Sequence, residues 1–296
     1  MNNLTEHALK LFEALTIWVR KHQLVLKIIC SLIFLAACSW AFLQLGVRPV
    51  DMQLQPFVVL FFLLSPFSLI YGGFGLIMLA HASGATMSLG FAMRISAWAQ
   101  LAEALPLPGG AMVRTGALMK AGVSTKRSAW LVIITAILWI SLAAMFSGAV
   151  IYLQGHDLGL LLGLSAGILS IASLAWIVVD AGWFQMFLTL LHRLLGLLLM
   201  ALRLKMAFGI LGHDVELAST IPFALASIAG SASSIAPAGL GVSEVLAAMM
   251  AGSVALAPAL ALLAVAFNRL IALASSAACL LLWESPKLLC RRKIYG

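Results

Sequence analysis

LPLPGGAMVR (105–114) and IAPAGLGVSE (235–244) are Pro/Gly-broken segments set in otherwise apolar sequence. In a soluble domain both would be surface loops. The chain around them is 63% hydrophobic and only 9% charged, with a mean hydropathy of +1.10. That is the composition of a polytopic membrane protein. Irregular backbone at membrane depth survives only where protein or a water-filled cavity surrounds it, because lipid tails offer no hydrogen bonds. Two such breaks in corresponding halves of one chain point to a transporter-like site.

Working outward from the breaks, apolar runs predict spans at about 24–45, 54–80, 129–153, 159–180, 184–202 and 255–283. The segment 54–80 is interrupted by Pro66 and the Gly72–Gly73 pair, which predicts a kink. The broken elements occupy about 88–119 and 217–251. The arms of the first, near 89–104 and 109–119, are short for a full crossing at 1.5 Å per residue. Each broken element therefore reads as a re-entrant hairpin. The expected fold is all-α, a polytopic membrane protein with an inverted-topology repeat, two re-entrant broken hairpins and about six full spans. The repeats divide at 23–153 and 154–285, flanked by an amphipathic segment 1–22 and a basic tail 286–296. Pro108, Gly110 and Val113 match Pro237, Gly239 and Val242 at one offset of 129 residues.

The formal charge of +8 follows the same map. Most Lys and Arg flank apolar runs, which suits anionic headgroups and the positive-inside bias rather than nucleic acid. This places both termini and the 120–127 cluster in the cytoplasm, and 47–51, 154–157 and 208–216 outside. Arg203 and Lys205 then fall on the outer side, read as snorkelling side chains or as part of a surface-lying 184–205. The four cysteines, Cys30, Cys38, Cys279 and Cys290, form no CxxC pair. Small buried hydrophobes is the preferred account of them.

No catalytic or cofactor pattern is expected. His7, His22, His81, His156, His192 and His213 are scattered without metal-ligand spacing. GVSEV lacks GxSxG, and neither Gly-rich break is followed by GK[ST]. The chemistry lies instead with charges inside apolar sequence, which are costly there and mark substrate paths. Arg114, Glu244 and Arg269 are the candidates, with Ser243 and the bend glycines Gly110, Gly239 and Gly241. Helix restarts after 109–110 and 238–241 would aim backbone N–H groups at an anion. If the hairpins meet near the midplane, Arg114 and Glu244 approach each other; for Arg269, phosphate binding stands against a structural pairing with Glu244. Guanidinium suits phosphate. Arg94 and Glu103, nine apart, do not share a helical face and are each expected to pair elsewhere. Asn268 reads as helix–helix glue.

PAGLGVSE (237–244), PLPGGAMVR (106–114) and FNRL (267–270) resemble motifs of the lysylphosphatidylglycerol synthase transmembrane region, the flippase-like domain family. The resemblance spans roughly 20–285. Ala111 stands where that family has an acid, and Ser243 where a basic residue is frequent. The resemblance implies an inverted-repeat bundle in the bacterial inner (cytoplasmic) membrane. Its implied function is lipid translocation, with Arg114, Glu244, Arg269, Gly239 and Gly241 at the site. The cytosolic aminoacyltransferase domain of larger members has no counterpart in this sequence.

The leading expectation is a flippase-like lipid translocase, moving an anionic or modified headgroup of a phospholipid or glycolipid between leaflets. The alternatives are a non-transport scaffold for a lipid-modifying enzyme or glycosyltransferase complex, and an ion-coupled small-solute transporter. Oligomeric state is not set by the sequence.

Overall fold

The computed structural model describes residues 23–46, 52–103, 109–233 and 241–292. The expectations for 1–22, the turn 47–51, Pro108, Pro237, Gly239 and the last four residues lie outside them.

The protein is an all-α polytopic membrane protein. Helix α1 is Gln23–Leu45, α2 is Leu54–Ala82, α3 is Leu89–Ala102, and α4 is Gly109–Lys120. Then follow α5 (Thr125–Leu153), α6 (Leu158–Ile210), α7 (Ile221–Ser233), α8 (Val242–Ala251) and α9 (Pro258–Arg292). Among the described residues four helices are long and apolar enough to cross a bilayer, namely α2, α5, α6 and α9 up to Ser285. The last of these runs on into the segment 286–296 that the sequence placed as a tail.

Helix α6 has 53 residues, about 80 Å if straight and far more than a hydrocarbon core of roughly 30 Å. It is not straight. Gly182 has φ 85° and ψ 169°, a conformation essentially restricted to glycine, and it separates two arms, 158–181 and 183–210. The first arm runs antiparallel to α5. Ser170 donates to Ser141 at 2.9 Å, Trp176 meets Trp130 edge-on at 5.5 Å, and Asp180 accepts from Arg127 at 3.2 Å. The second arm runs back antiparallel to α2. Gln185 donates to the Met78 carbonyl, Arg203 to the Ser68 hydroxyl, and the Gln53 N–H to the Ile210 carbonyl.

These contacts sort the helix ends into two levels. Arg127 also donates to the Ala82 carbonyl, so the end of α2, the start of α5 and the α6 turn share one level. The outer ends of α3 and α4 lie there too, with Lys120 over the Phe91 ring at 5.4 Å. The opposite level gathers the start of α2 and the end of α6. The outer ends of α7 and α8 belong there as well: Thr220 donates to the Ala201 carbonyl, and a short turn links Ala251 to Pro258. The turn after α4 and the turn after α8 thus lie at opposite levels of the bundle.

A kink in α2 was expected at Pro66 and Gly72–Gly73. The irregularity falls at Val59–Leu64, in the turn before Pro66, as a π-helical stretch where the proline offers no N–H to the Phe62 carbonyl, and not at Gly72–Gly73. Such bulges release carbonyls from the helix ladder, and the Phe61 carbonyl accepts the Ser275 hydroxyl of α9 at 3.1 Å. The main core lies among the second arm of α6, α7, α8 and α9. Phe208 and Phe223 meet there at 5.3 Å, packed by buried alanines of α9 that permit close helix approach.

Candidate functional site

Described residues of both helix pairs line a cavity of about 360 Å³ inside the bundle. The second arm of α6, with α2, α5 and α9, supplies the remaining walls. Thr135 of α5 lines it ten residues from the helix start, or about 15 Å in, which is near the middle of a hydrocarbon core. Four arginines line this one space: Arg114, Arg193, Arg203 and Arg269. Charge at such depth needs a partner or a polar cavity.

Arg114 sits on the second turn of α4. It donates to Glu103 at 3.1 Å, and both side chains are about one-third exposed. The pair is possible because Gly110 lets α4 close on α3: a Cβ at 110 would sit 2.7 Å from both Cγ and Oε1 of Glu103. Arg269, on α9, donates to Glu244 at 3.4 Å and to the Ser231 hydroxyl at 3.2 Å. Glu244 is fully buried at the first turn of α8, where its second oxygen accepts the Gly241 N–H at 2.7 Å. The carboxylate thereby caps a helix start as well as neutralising a cation. Gly241 has φ 87°, which a side chain would strain.

Of the sequence-predicted residues, Arg114, Arg269, Gly110 and Ser243 line the cavity, and Glu244 stands directly behind Arg269. Gly241 holds the entry to α8. Gly239 lies outside the described residues. The suggested approach of Arg114 to Glu244 is not observed. Each has its own partner, because Glu103 is nearer to Arg114 along the same broken element and Arg269 comes from α9. Arg94 and Glu103 do pair elsewhere, Arg94 with Glu284 at 3.9 Å.

Arg203 corrects the sequence map. Its span was placed to end at 202, leaving Arg203 outside. The helix continues to Ile210, so Arg203 lies about 10 Å inside the end and is only 6% exposed. It donates to the side-chain and main-chain oxygens of Asn268 and to Ser68. Asn268 is glue, as expected, and is specific to this cation. Lys205 does sit at the end, on Asp214 at 2.8 Å.

Arg193 was missed, as was its surrounding ring cluster. Its guanidinium lies 5.4 Å from the Trp139 ring centroid and against the Tyr71 hydroxyl. Tyr71 in turn stacks on His192 at 4.0 Å and donates to the His192 carbonyl at 2.8 Å. A signal was present. His192, Gly196, Leu199 and Arg203 recur at helical spacing and all line the cavity, with a polar residue at each end of the stripe and Arg193 beside the first.

No family model, curated protein or solved structure matches this chain.

Proposed function

We propose that this chain is a lipid translocase whose central cavity receives the headgroup while the acyl tails stay in the bilayer. The observation that carries this reading is a polar, arginine-lined cavity at mid-depth, bordered by both broken elements. A headgroup in hydrocarbon loses its hydrogen bonds and hydration. A cavity of guanidinium, hydroxyl and amide groups replaces them. At about 360 Å³ the space is within the size range of small-ligand sites.

The helix order supports an inverted repeat with re-entrant hairpins. Shifting Leu54–Ala82 by 129 residues gives 183–211, beside the second arm of α6 at 183–210. Shifting Leu89–Ala102 by 129 gives 218–231, beside the helical stretch 218–233. In this reading six full spans remain, with α6 counted as two. One pair of short helices dips in from each side, and both chain ends fall on the Lys120–Arg127 side. The positive-inside bias assigns that side to the cytoplasm, in a bacterial inner membrane. The motif resemblance to the flippase-like domain family agrees with this function.

The test is leaflet redistribution of labelled phospholipid in vesicles containing the purified chain, compared with Ala136→Trp. Ala136 lines the cavity, and an indole there fills the headgroup space. Protein-dependent movement that Ala136→Trp abolishes, with the variant still monodisperse, is the expected result. Movement that the filled cavity leaves unchanged would sink the proposal. Absence of movement in the native protein would favour the scaffold.

A further inference from the structure

The four cavity arginines divide into two kinds. Arg114 and Arg269 each have a carboxylate, Glu103 and Glu244. Arg193 and Arg203 have none among the described residues. Arg203 donates three of its five N–H groups to neutral oxygens of Asn268 and Ser68, and the carboxylate whose charge it feels, Glu103, is engaged by Arg114. Four guanidinium groups against two carboxylates leave the cavity with a formal excess of two positive charges.

The unpaired hydrogen-bonding groups have the same polarity. Among the described residues, four buried side-chain polar atoms lack a partner, and three of them belong to cavity-lining residues: Arg193 Nε, Trp139 Nε1 and Ser243 Oγ. The first two can only donate, and the hydroxyl can donate. Buried donors without acceptors cost free energy, which an acceptor-rich ligand would recover once a small side-chain shift brings it within reach. Arg193 lies against Tyr71 and Arg203 donates to Ser68, both on α2.

We infer that the cavity is built for a doubly negative phosphate, a phosphate monoester or diphosphate, and not for a zwitterionic or amine-bearing headgroup. An ammonium would meet the excess positive charge, and the carboxylates it would need are already engaged by Arg114 and Arg269. A phosphate diester brings a single negative charge and leaves one guanidinium uncompensated. The assignment rests on the translocase reading for the lipid that carries the phosphate. The phosphate chemistry itself is equally that of a free anion.

The experiment uses the purified full chain at pH 8, above the second phosphate pKa of about 6. Labelled phosphatidic acid, phosphatidylglycerol and phosphatidylethanolamine are followed separately in phosphatidylcholine vesicles. Phosphatidic acid is expected to cross at least about tenfold faster than the other two, and R203Q and W139F each to slow it about tenfold. W139F keeps an aromatic ring beside Arg193 and removes only the N–H donor side, so it tests the site even where R203Q does not fold. Equal rates for the three lipids would retain translocation and overturn the dianion assignment. Should inorganic phosphate raise the thermal midpoint in detergent while no lipid moves, the anion site stands and its lipid source is overturned. No movement, and no thermal shift with either short-chain phosphatidic acid or inorganic phosphate, would overturn both.

Discussion

The two broken elements carry the same device, an arginine–glutamate pair beside a glycine bend, and use it differently. In α3–α4 the pair Arg114–Glu103 lies within the element itself, with side chains 37% and 30% exposed. In α7–α8 the glutamate reaches out to α9, and the Glu244–Arg269 side chains are 2% and 13% exposed. An exposed ion pair contributes about 0–1 kcal/mol, whereas removing one partner of a buried pair costs about 3–5 kcal/mol. Depth, not residue identity, therefore makes one pair a fastening and the other a pair that a ligand can part. Glu103 can yield Arg114 to an incoming phosphate at little cost. Glu244 cannot yield Arg269 without leaving a buried carboxylate without its cation.

The largest effect expected from this contrast is on stability. Glu244→Ala should lower unfolding stability in detergent by about 3–5 kcal/mol, since it strands Arg269 in the interior. Pairing it with Arg269→Met should restore much of the loss. If Glu103→Ala proved as damaging as Glu244→Ala, the contrast would be broken. Next in size is Gly241→Ala, expected to cost about 1–2 kcal/mol because φ 87° places the new Cβ in the left-handed region. Thermal unfolding of that variant beside Gly110→Ala sharpens the comparison. The latter meets the flexible Glu103 side chain and should alter lipid movement more than stability.

Smaller still is Glu103→Gln, at most about 1 kcal/mol in stability. It adds a third uncompensated guanidinium, so binding of short-chain phosphatidic acid should tighten severalfold, read by titration. Weaker binding would mean that Glu103 positions the ligand rather than competing with it. A last, qualitative check concerns sidedness. Single cysteines at Lys120 and Ser253, at the outer ends of α4 and α8, should be labelled by an impermeant thiol reagent from opposite faces of the membrane. Labelling of both from one face would dissolve the inverted relation between the elements.

The sequence was most legible where backbone chemistry is local. The short arms 89–102 and 109–120, and most of the long apolar spans, follow from residue type and spacing. So did the Arg269–Glu244 pairing, offered as the structural alternative to phosphate binding by Arg269. It was less legible where the cause is tertiary. Arg203 looked like a span end because a cation usually marks one, and only the Asn268 and Ser68 oxygens supplied by α9 and α2 explain its burial. Arg193 is a charge inside an apolar LLHRLLG run, which was a signal, but its role comes from Trp139 and Tyr71 on other helices. The turn at Gly182 was placed by the gap between two apolar runs. Its single-residue form depends on a backbone conformation that composition does not reveal.

The central claim is that a lipid phosphate occupies the cavity between the two broken elements. A photo-reactive amino acid at Ala136, in the cavity wall, with a control at Leu161 on the outer surface, tests it most directly. The account predicts that position 136 captures acidic phospholipid on irradiation and that short-chain phosphatidic acid suppresses this capture, while adducts at 161 are not suppressed. Adducts at 161 alone, or capture at 136 that the short-chain lipid leaves unchanged, would contradict it.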